Sequence, residues 1–280
     1  MLKYIFAVLI PFAITWLAFS YNVLLGFGVL VAFLLFLFWW QRPNLLTIRG
    51  QNEYARGNNN KALSLLKKAH SMGRTSPANN IVYAYILLRC GQHEEAAKVL
   101  NMVLFSSRLK PAERMKAKQN LSLVRYRQGD FEEATRLMQE VFTSYKNSSV
   151  YGCLGYYKIL SHAPDAMNFA LEAYEFNPDD KVIVDNLIQL YIERGQIDKA
   201  KELSDKTLAA GNEGVEIFYH AGQVALALGR KQEARTFFIK ASEAPRSFMT
   251  TVSEEEIEDH IRITTDTLPT AEPETDSQTK

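Results

Sequence analysis

The first forty residues of the chain differ in hydrophobic pattern from all that follow. From Tyr4 to Gln41 there are 38 consecutive residues without a formal charge, and most of them are apolar. As one continuous helix this run would measure about 57 Å, whereas the hydrocarbon layer of a bilayer is roughly 30 Å thick. We therefore expect a transmembrane helical hairpin in residues 1–43, with spans at about 4–19 and 23–40 and a turn between them.

The charges that flank this run predict its orientation. Lys3 precedes it, Arg42 and Arg49 follow it, and the turn between the two spans carries no charge. Because cytoplasmic flanks are enriched in lysine and arginine, both ends of the hairpin are predicted to be cytoplasmic. We therefore expect a two-span protein of the cell membrane whose remaining residues lie in the cytoplasm.

A cleaved signal peptide is an alternative interpretation of the first span. Residues 4–19 would then form its apolar region and Ala18 to Ser20 its small-residue cleavage site, leaving 23–40 as a stop-transfer span. This alternative changes the number of spans in the mature protein. It leaves the rest of the prediction unchanged, since a stop-transfer span would also deliver the following residues to the cytoplasm.

The remaining sequence is amphipathic with a helical period, and it contains a recurring motif. A glycine followed five residues later by an alanine recurs at intervals close to one period. The pairs are Gly57 with Ala62, Gly91 with Ala96, Gly129 with Ala134, Gly195 with Ala200 and Gly229 with Ala234. A sixth copy has lost its glycine and ends at Ala166, so that successive alanines lie 34, 38, 32, 34 and 34 residues apart. This period predicts a series of helix pairs, each made of two antiparallel helices joined by short turns.

Each position of the motif has a physical role in such a helix pair. Glycine lets the chain leave the first helix in a left-handed conformation. The alanine is small because the second helix must approach the first closely. A large apolar residue four positions after the alanine lies on the same helix face and is predicted to fill the core. These core residues are Leu66, Leu100, Met138 and Phe238, with Ala170 and Ser204 as weaker copies.

These features resemble the tetratricopeptide repeat (TPR) family, whose helix–turn–helix unit recurs every 34 residues. Family positions are matched at Ala221-Gly222 in a first helix, at Ala241 in a second helix, and at Pro178, which ends a unit. The tryptophan that the family carries in its first helix is absent from every unit. The resemblance implies an all-α fold in which a right-handed TPR α-solenoid of about six units, over residues 44–246, follows the transmembrane hairpin.

The resemblance also implies where a ligand would bind. In TPR proteins the first helix of each unit lines an inner groove, and particular positions on it face protein or peptide ligands. In this sequence the positions of the peptide-binding groove are Gln51, Tyr54, Tyr85, Arg89, Lys116, Gln119, Tyr126, Arg127, Tyr156, Gln189, Tyr219 and Gln223, together with Thr47, Ile81, Leu88, Leu123 and Asp185. Tyrosine and amide side chains suit an extended or helical peptide, because they offer contact area with hydrogen-bonding tips. The alternative for each tyrosine is a packing role between helices.

The C-terminal residues are predicted first to cover the last repeat and then to leave it. Ser253 and Glu256 have the spacing of a capping box, and the apolar Ile257 follows, so residues 247–263 should contain a capping helix. Residues 264–280 consist mostly of Thr, Ser, Pro, Glu and Asp, a composition typical of a disordered acidic tail.

No pattern in the sequence points to catalysis, to a cofactor or to a metal site. The two cysteines, Cys90 and Cys153, are 63 residues apart and are expected to be reduced core residues. The five histidines are spread over different units without the spacing of metal ligands. Phosphate-binding loops and serine-hydrolase motifs are absent. We therefore expect a protein that is not an enzyme and that binds no cofactor.

The formal charge of +1 is the sum of unlike parts of the chain. From Ser253 to Lys280 there are nine acids and two bases, whereas the residues before them carry a net charge of +8. So moderate a charge argues against a strongly basic nucleic-acid-binding protein. The opposite charges of the two parts would also allow the acidic tail to fold back over a basic groove and mask that groove.

Together these features predict a membrane-tethered TPR scaffold or adaptor that binds partner proteins or peptides at the cytoplasmic membrane surface. An alternative is an accessory structural subunit of a complex for membrane protein assembly, secretion or envelope biogenesis, which would use the convex face. A transport role of the spans is disfavoured, because no ionisable residue other than tyrosine lies between Lys3 and Arg42. The sequence leaves the identity of the partner and the oligomeric state open.

Overall fold

The computed structural model describes residues 2–265, with side chains from Ile10 onward, and in that part the chain forms fourteen α-helices and no strand. The helices are α1 (Leu2–Tyr21), α2 (Val23–Ala55), α3 (Asn59–His70), α4 (Pro77–Arg89), α5 (His93–Leu104), α6 (Pro111–Arg127), α7 (Phe131–Ser144), α8 (Ser148–Leu160), α9 (Ala166–Phe176), α10 (Lys181–Glu193), α11 (Ile197–Ala209), α12 (Val215–Ala227), α13 (Lys231–Glu243) and α14 (Glu254–Thr265). The chain divides into two compact units, residues 1–120 and 121–280, with α6 crossing the boundary.

The first two helices are separated by a single residue, Asn22, which lies in the turn predicted between the two apolar stretches. Its side chain accepts hydrogen bonds from the backbone N–H groups of Leu24 and Leu25 and so caps the N-terminus of α2. Next to this turn the ring of Phe19 lies against Gly26, where a Cβ atom would come within 2.3 Å of the ring. The missing side chain therefore lets α1 and α2 pack closely at the turn.

The second helix is longer than the predicted span, because it continues through Pro43 to Ala55 without a break. A proline inside a helix leaves the carbonyl four residues earlier without its amide donor. That carbonyl belongs to Trp39, and the guanidinium of Arg74 donates to it at 2.5 Å. The predicted boundary between residues 43 and 44 therefore lies inside one helix, which runs from the apolar stretch into the first repeat.

The turns between paired helices have the conformation that the recurring glycines predict. All five have a positive φ, between 68° at Gly195 and 82° at Gly129. The next residue in each turn donates its N–H to the carbonyl five residues before it, as Gln196 does to Tyr191 at 2.8 Å, which is the bond of a Schellman cap. In the degenerate fourth repeat His162 takes the left-handed position with φ 49°. The next residue, Ala163, donates its N–H to the carbonyl of Lys158 at 2.9 Å, which is the same bond.

The core of each compact unit is formed where the two helices of a repeat cross. The motif alanines Ala62, Ala96, Ala134, Ala166, Ala200 and Ala234 are all buried, as are the predicted core residues Leu66, Leu100, Met138 and Phe238. Gly222 shows how close the crossings are, since a Cβ atom there would come within 2.6 Å of the ring of Phe238. Small residues on one helix thus make room for large ones on the other.

The capping helix forms at the predicted place. Ser253 accepts from the N–H of Glu256 at 3.1 Å, and the carboxylate of Glu256 accepts from the N–H of Ser253 at 2.7 Å, which is a reciprocal capping box. Behind it Ile257 is 1% exposed and packs in the same cluster as Phe238. The helix ends at Thr265, and the rest of the tail predicted to be disordered, residues 266–280, lies outside the described residues.

Candidate functional site

Three of the predicted groove residues in the first compact unit lie together. Tyr54 is at the end of α2, and Tyr85 and Arg89 are one turn apart on α4. The guanidinium of Arg89 donates to the hydroxyl of Tyr85 at 3.1 Å. It also lies 5.9 Å from the ring centre of Tyr54 and 5.8 Å from that of Tyr85, within the range of cation–π attraction. We name Tyr54, Tyr85 and Arg89 the groove cluster. It joins a fixed positive charge to two partly exposed aromatic faces.

The protonation states of Tyr54 and Arg89 are stable across the physiological range. Burial raises the pKa of Tyr54 above its ordinary value, so its hydroxyl stays protonated. The hydrogen bond to Tyr85 raises the pKa of Arg89, which keeps its charge. A cation held over aromatic faces can attract a carboxylate while the rings cover an apolar side chain. Of the other predicted positions in this unit, Gln51 and Lys116 are exposed and Gln119 is partly buried.

A second group of predicted residues meets in the other compact unit. The hydroxyls of Tyr126 on α6 and Tyr156 on α8 lie 3.5 Å apart, with the rings edge to face. The ring of Tyr126 also stacks on that of Tyr157, with centres 5.5 Å apart. Burial, and then the neighbouring Tyr126, raise the pKa of Tyr156 above its ordinary value, so the hydroxyl of Tyr156 stays protonated. Arg127 beside them is exposed.

This tyrosine pair borders a cavity of about 330 Å³ inside the second compact unit. Its walls are Tyr126 and residues of α8 and α10, the start of α12, and the loop that precedes α14. Lys181 and Glu216 bring opposite charges to the wall, whereas Val182 and Met249 make it apolar. Helices from successive repeats thus enclose a mixed surface that could hold a side chain of a bound peptide.

One wall of this cavity was not predictable from the repeat pattern. The loop from Pro245 to Thr251 lies outside the repeats, yet it lines the cavity. Its position is held by the N–H of Thr251, which donates to the carboxylate of Glu216 at 2.9 Å. The loop carries no helical period or motif, so the sequence contains no signal for its contact with a helix one repeat earlier.

Some predicted groove positions are packing residues instead. Tyr219 is 7% exposed, because its ring lies between Phe238 and His260 of the capping helix. Gln223 hydrogen-bonds Tyr219, and Gln189 donates to Glu193 at 2.9 Å. Buried as well are Thr47, Ile81, Leu88, Leu123 and Asp185. The buried apolar side chains and the ring of Tyr219 therefore pack against neighbouring residues, whereas Gln189 and Gln223 are partly exposed and Asp185 borders the cavity.

Asp185 forms a buried ion pair that the sequence analysis did not anticipate. Its carboxylate lies 2.7 Å from Nδ1 of His220, linking α10 to α12. Burial disfavours the charged imidazole, but the carboxylate of Asp185 outweighs it, so the pKa of His220 is raised. The signal was present as an aspartate and a histidine 35 residues apart, close to one repeat period.

The cysteines and histidines show no arrangement for catalysis or metal binding in the described residues. Cys153 is buried, and burial raises the pKa of its thiol to about 12, which makes the nucleophilic thiolate scarce. Cys90 is partly buried. Between residues 2 and 265 no group of three or more His, Cys, Asp or Glu side chains could hold a metal ion.

Comparison with known proteins assigns these helix pairs to a family. Tetratricopeptide repeat profiles match residues 53–118, 114–148 and 186–247, which together make up more than half of the chain. The chain belongs to the tetratricopeptide repeat family. TPR proteins bind protein or peptide partners in a groove and are generally non-catalytic scaffolds.

Solved TPR structures share the fold at low sequence identity. A TPR protein from Parabacteroides merdae superposes with a TM-score of 0.64 at 17% identity, over 80% of this chain and 85% of that one. The pilF protein of Pseudomonas aeruginosa gives a TM-score of 0.59 at 17% identity, over 79% of this chain and 98% of that one. No curated protein sequence matches the chain. The likeness therefore concerns the all-α TPR fold and does not extend to a partner.

Proposed function

We propose that the chain is a membrane-anchored adaptor, in which an N-terminal hairpin of two spans holds a cytoplasmic TPR groove close to the bilayer and the groove binds a peptide segment of a partner protein. The observation that carries this proposal is the continuity of α2. One helix contains both an 18-residue stretch with a mean hydropathy of 2.5 and the first helix of the first repeat.

The exposed surface of the first two helices supports insertion into a membrane. Phe12 and Trp16 on α1, and Leu24 and Phe38 on α2, are each more than half exposed. Soluble proteins rarely expose an apolar surface of this extent. The helix α2 is long and apolar enough to cross a bilayer, and α1 beside it is 20 residues long.

The first repeat is joined firmly to the span. The guanidinium of Arg74, in the turn after α3, stacks on the ring of Trp39 at 3.7 Å and donates to its carbonyl. Asn79 at the start of α4 donates to Asn44 at 2.8 Å. Tyr54 of the groove cluster lies 14 residues after Trp40 on the same helix, which is about 21 Å along its axis. A partner bound there would be held within a few tens of ångströms of the membrane surface.

The anchoring is tested by extraction of membranes with alkaline carbonate. We expect the full chain to stay in the pellet, and a variant carrying Leu34→Arg and Leu35→Arg to be extracted, because charged side chains at the centre of a span oppose insertion. Lys98→Arg, which keeps an exposed charge, is the control. Orientation is read by protease treatment of intact cells, where digestion of a C-terminal tag would contradict a cytoplasmic TPR region.

The groove is tested by photo-crosslinking in living cells. A benzophenone amino acid is placed at Tyr85 in the groove cluster or, as a control, at Tyr145, an exposed tyrosine at the end of α7. We expect a discrete adduct from position 85 that weakens about tenfold with Arg89→Ala, since charge-assisted contacts in an interface contribute about 1.5–3 kcal/mol. Equal adducts from position 145, or adducts that Arg89→Ala leaves unchanged, would overturn the groove proposal.

A further inference from the structure

The repeats nearest the proposed span have an unusually one-sided charge. Residues 41–93 contain eight lysines and arginines and a single acid, Glu53. That acid is already engaged, because Lys61 lies 3.0 Å from its carboxylate and Asn58 donates to it at 2.9 Å. Lys61 and Asn58 lower the pKa of Glu53 below its ordinary range, so it stays ionised in this pairing. Arg56 also lies 3.7 Å from this carboxylate, and the segment contains no further acid to balance its other six bases.

The fold brings part of this charge to the end of the first repeats that lies next to the proposed span. The helix α3 runs back along α2, as the contact between Gly50 and Leu66 shows. The last turn of α3, with the exposed Lys67 and Lys68, therefore lies toward Trp39. The contact between Arg74 and Trp39 places the following turn at the same level. Glu53 lies 14 residues, about 21 Å, further along α2.

The next turn on the same end adds further bases and an exposed aromatic ring. Because consecutive helices of the repeats are antiparallel, the turn between α5 and α6 returns to the end where the turn between α3 and α4 lies. It contains Arg108 and Lys110, and its Phe105 is 91% exposed. We name this surface the basic end, formed by Arg42, Lys67, Lys68, Arg74, Arg108 and Lys110 with Phe105 among them.

We propose that the basic end binds the headgroups of anionic phospholipids in the membrane that α2 crosses. Lysine and arginine near a bilayer are attracted by the negative surface potential of anionic lipids. An exposed phenylalanine among them can enter the boundary between headgroups and acyl chains. The surface is continuous with the helix that emerges from the apolar stretch, and this position favours lipid over a soluble ligand. The inference rests on the proposed anchoring by α2.

The experiment measures which lipids stay with the purified full chain. The protein is reconstituted in vesicles of phosphatidylcholine and phosphatidylglycerol in equal parts and extracted in mild detergent, and the retained lipids are counted by native mass spectrometry. The test variant carries Lys67→Gln, Lys68→Gln and Arg108→Gln. The control carries Lys98→Gln, Lys199→Gln and Lys231→Gln, which removes the same charge from exposed positions elsewhere.

We expect the wild-type chain and the control to retain phosphatidylglycerol preferentially. In the test variant this preference should fall by about a hundredfold, since each of the three bases contributes about fivefold near a charged surface. An unchanged preference in the test variant, or no preference in the wild-type chain, would overturn the inference. So would loss of a bound acidic protein or nucleic acid from the test variant with lipid retention unchanged. Carbonate extraction of the same samples separates the two proposals, since a wild-type chain that leaves the membrane would overturn the anchoring and the inference together.

Discussion

At the residue scale, the turns of the repeats are governed by which side chain occupies the left-handed position. Glycine occupies it in five repeats, as at Gly195, and His162 occupies it in the fourth. A residue with a Cβ atom is destabilised there by about 1–2 kcal/mol, because the Cβ approaches the following carbonyl oxygen. The fourth repeat keeps its turn because the helices α8 and α9 on either side are packed into the core.

We therefore predict that His162→Gly stabilises the protein, by roughly 0.5–1 kcal/mol after the greater freedom of glycine in the unfolded chain is subtracted. Urea unfolding of the full chain in mild detergent measures the change. Gly195→Ala is the matched opposite change, and it should destabilise the protein by about 1–2 kcal/mol. Changes of the same sign in the free energy of unfolding at the two positions would contradict this account of the turns.

The buried pair of His220 and Asp185 gives the second prediction at this scale. The pKa of His220 is raised in the folded protein, since Asp185, with Glu216 and Glu193 beyond it, outweighs the effect of burial. The resulting stabilisation is complete below the unfolded pKa of about 6.5 and is lost as the pH rises through the folded pKa. Stability should therefore fall on the alkaline side of neutrality, by at most about 1.4 kcal/mol per pH unit for one proton.

Urea unfolding between about pH 6 and pH 9 checks this dependence. In a variant carrying both His220→Gln and Asp185→Asn, this part of the slope should disappear, because neither side chain titrates in that range. The double variant avoids leaving one buried charge without its partner. A wild-type stability that rises with pH over this range would show that His220 is neutral in the folded protein.

At the element scale, the helix α2 joins two parts of the chain that the sequence analysis treats as separate. Pro43 removes one hydrogen bond from the middle of this helix, and Arg74 from the next turn supplies a donor to the vacant carbonyl of Trp39. The same guanidinium stacks on the ring of Trp39. A single side chain thus satisfies the backbone at the proline and ties the first repeat to the apolar part of α2.

This arrangement predicts that the effects of Arg74 and Pro43 are coupled. Arg74→Ala should destabilise the protein by about 1–3 kcal/mol, because the carbonyl of Trp39 then has no donor. With Pro43→Ala in place, the restored N–H of residue 43 can bond that carbonyl, so Arg74→Ala should cost about 1 kcal/mol less. Thermal unfolding of the four proteins of this cycle in mild detergent measures the coupling. Strictly additive effects would show that Arg74 acts only through the ring of Trp39.

At the scale of the whole molecule, charge is distributed along the chain in blocks with different tasks. The residues before Ser253 carry +8 and those from Ser253 onward carry −7. Part of the acidic block forms α14, whose capping box and buried Ile257 give it a structural role. The bases of the first two repeats lie far from this acidic block in the sequence, and they include Arg89 of the groove cluster. The overall charge of +1 therefore describes neither the basic nor the acidic part of the chain.

If the acidic tail masks the groove cluster, removal of the tail should expose that cluster. We predict that truncation after Thr265, which leaves α14 intact, increases the adduct formed from a photoreactive residue at position 85 by severalfold. The control replaces the acids after Thr265 with serine at unchanged length. Adduct yields that are equal in the full and truncated chains would refute masking.

Repetition is the reason that most of the fold could be predicted from the sequence. A glycine and an alanine in the same register mark each turn and each close crossing, so the helix pairs, their core residues and the capping box at Ser253 were all predicted correctly. These features depend on contacts within a few residues or within one repeat. Local physical chemistry is sufficient for them.

The contacts made across repeats could not be predicted in this way. The continuous α2 depends on Arg74 meeting Trp39, the burial of Tyr219 depends on the capping helix, and one wall of the cavity is a loop without a pattern. Each of these joins segments about one repeat apart, where the pairing is set by how the helices pack and not by any periodicity. Which tyrosines stay exposed and which are buried in the core is therefore settled by tertiary packing, because both roles suit the same amphipathic side chain.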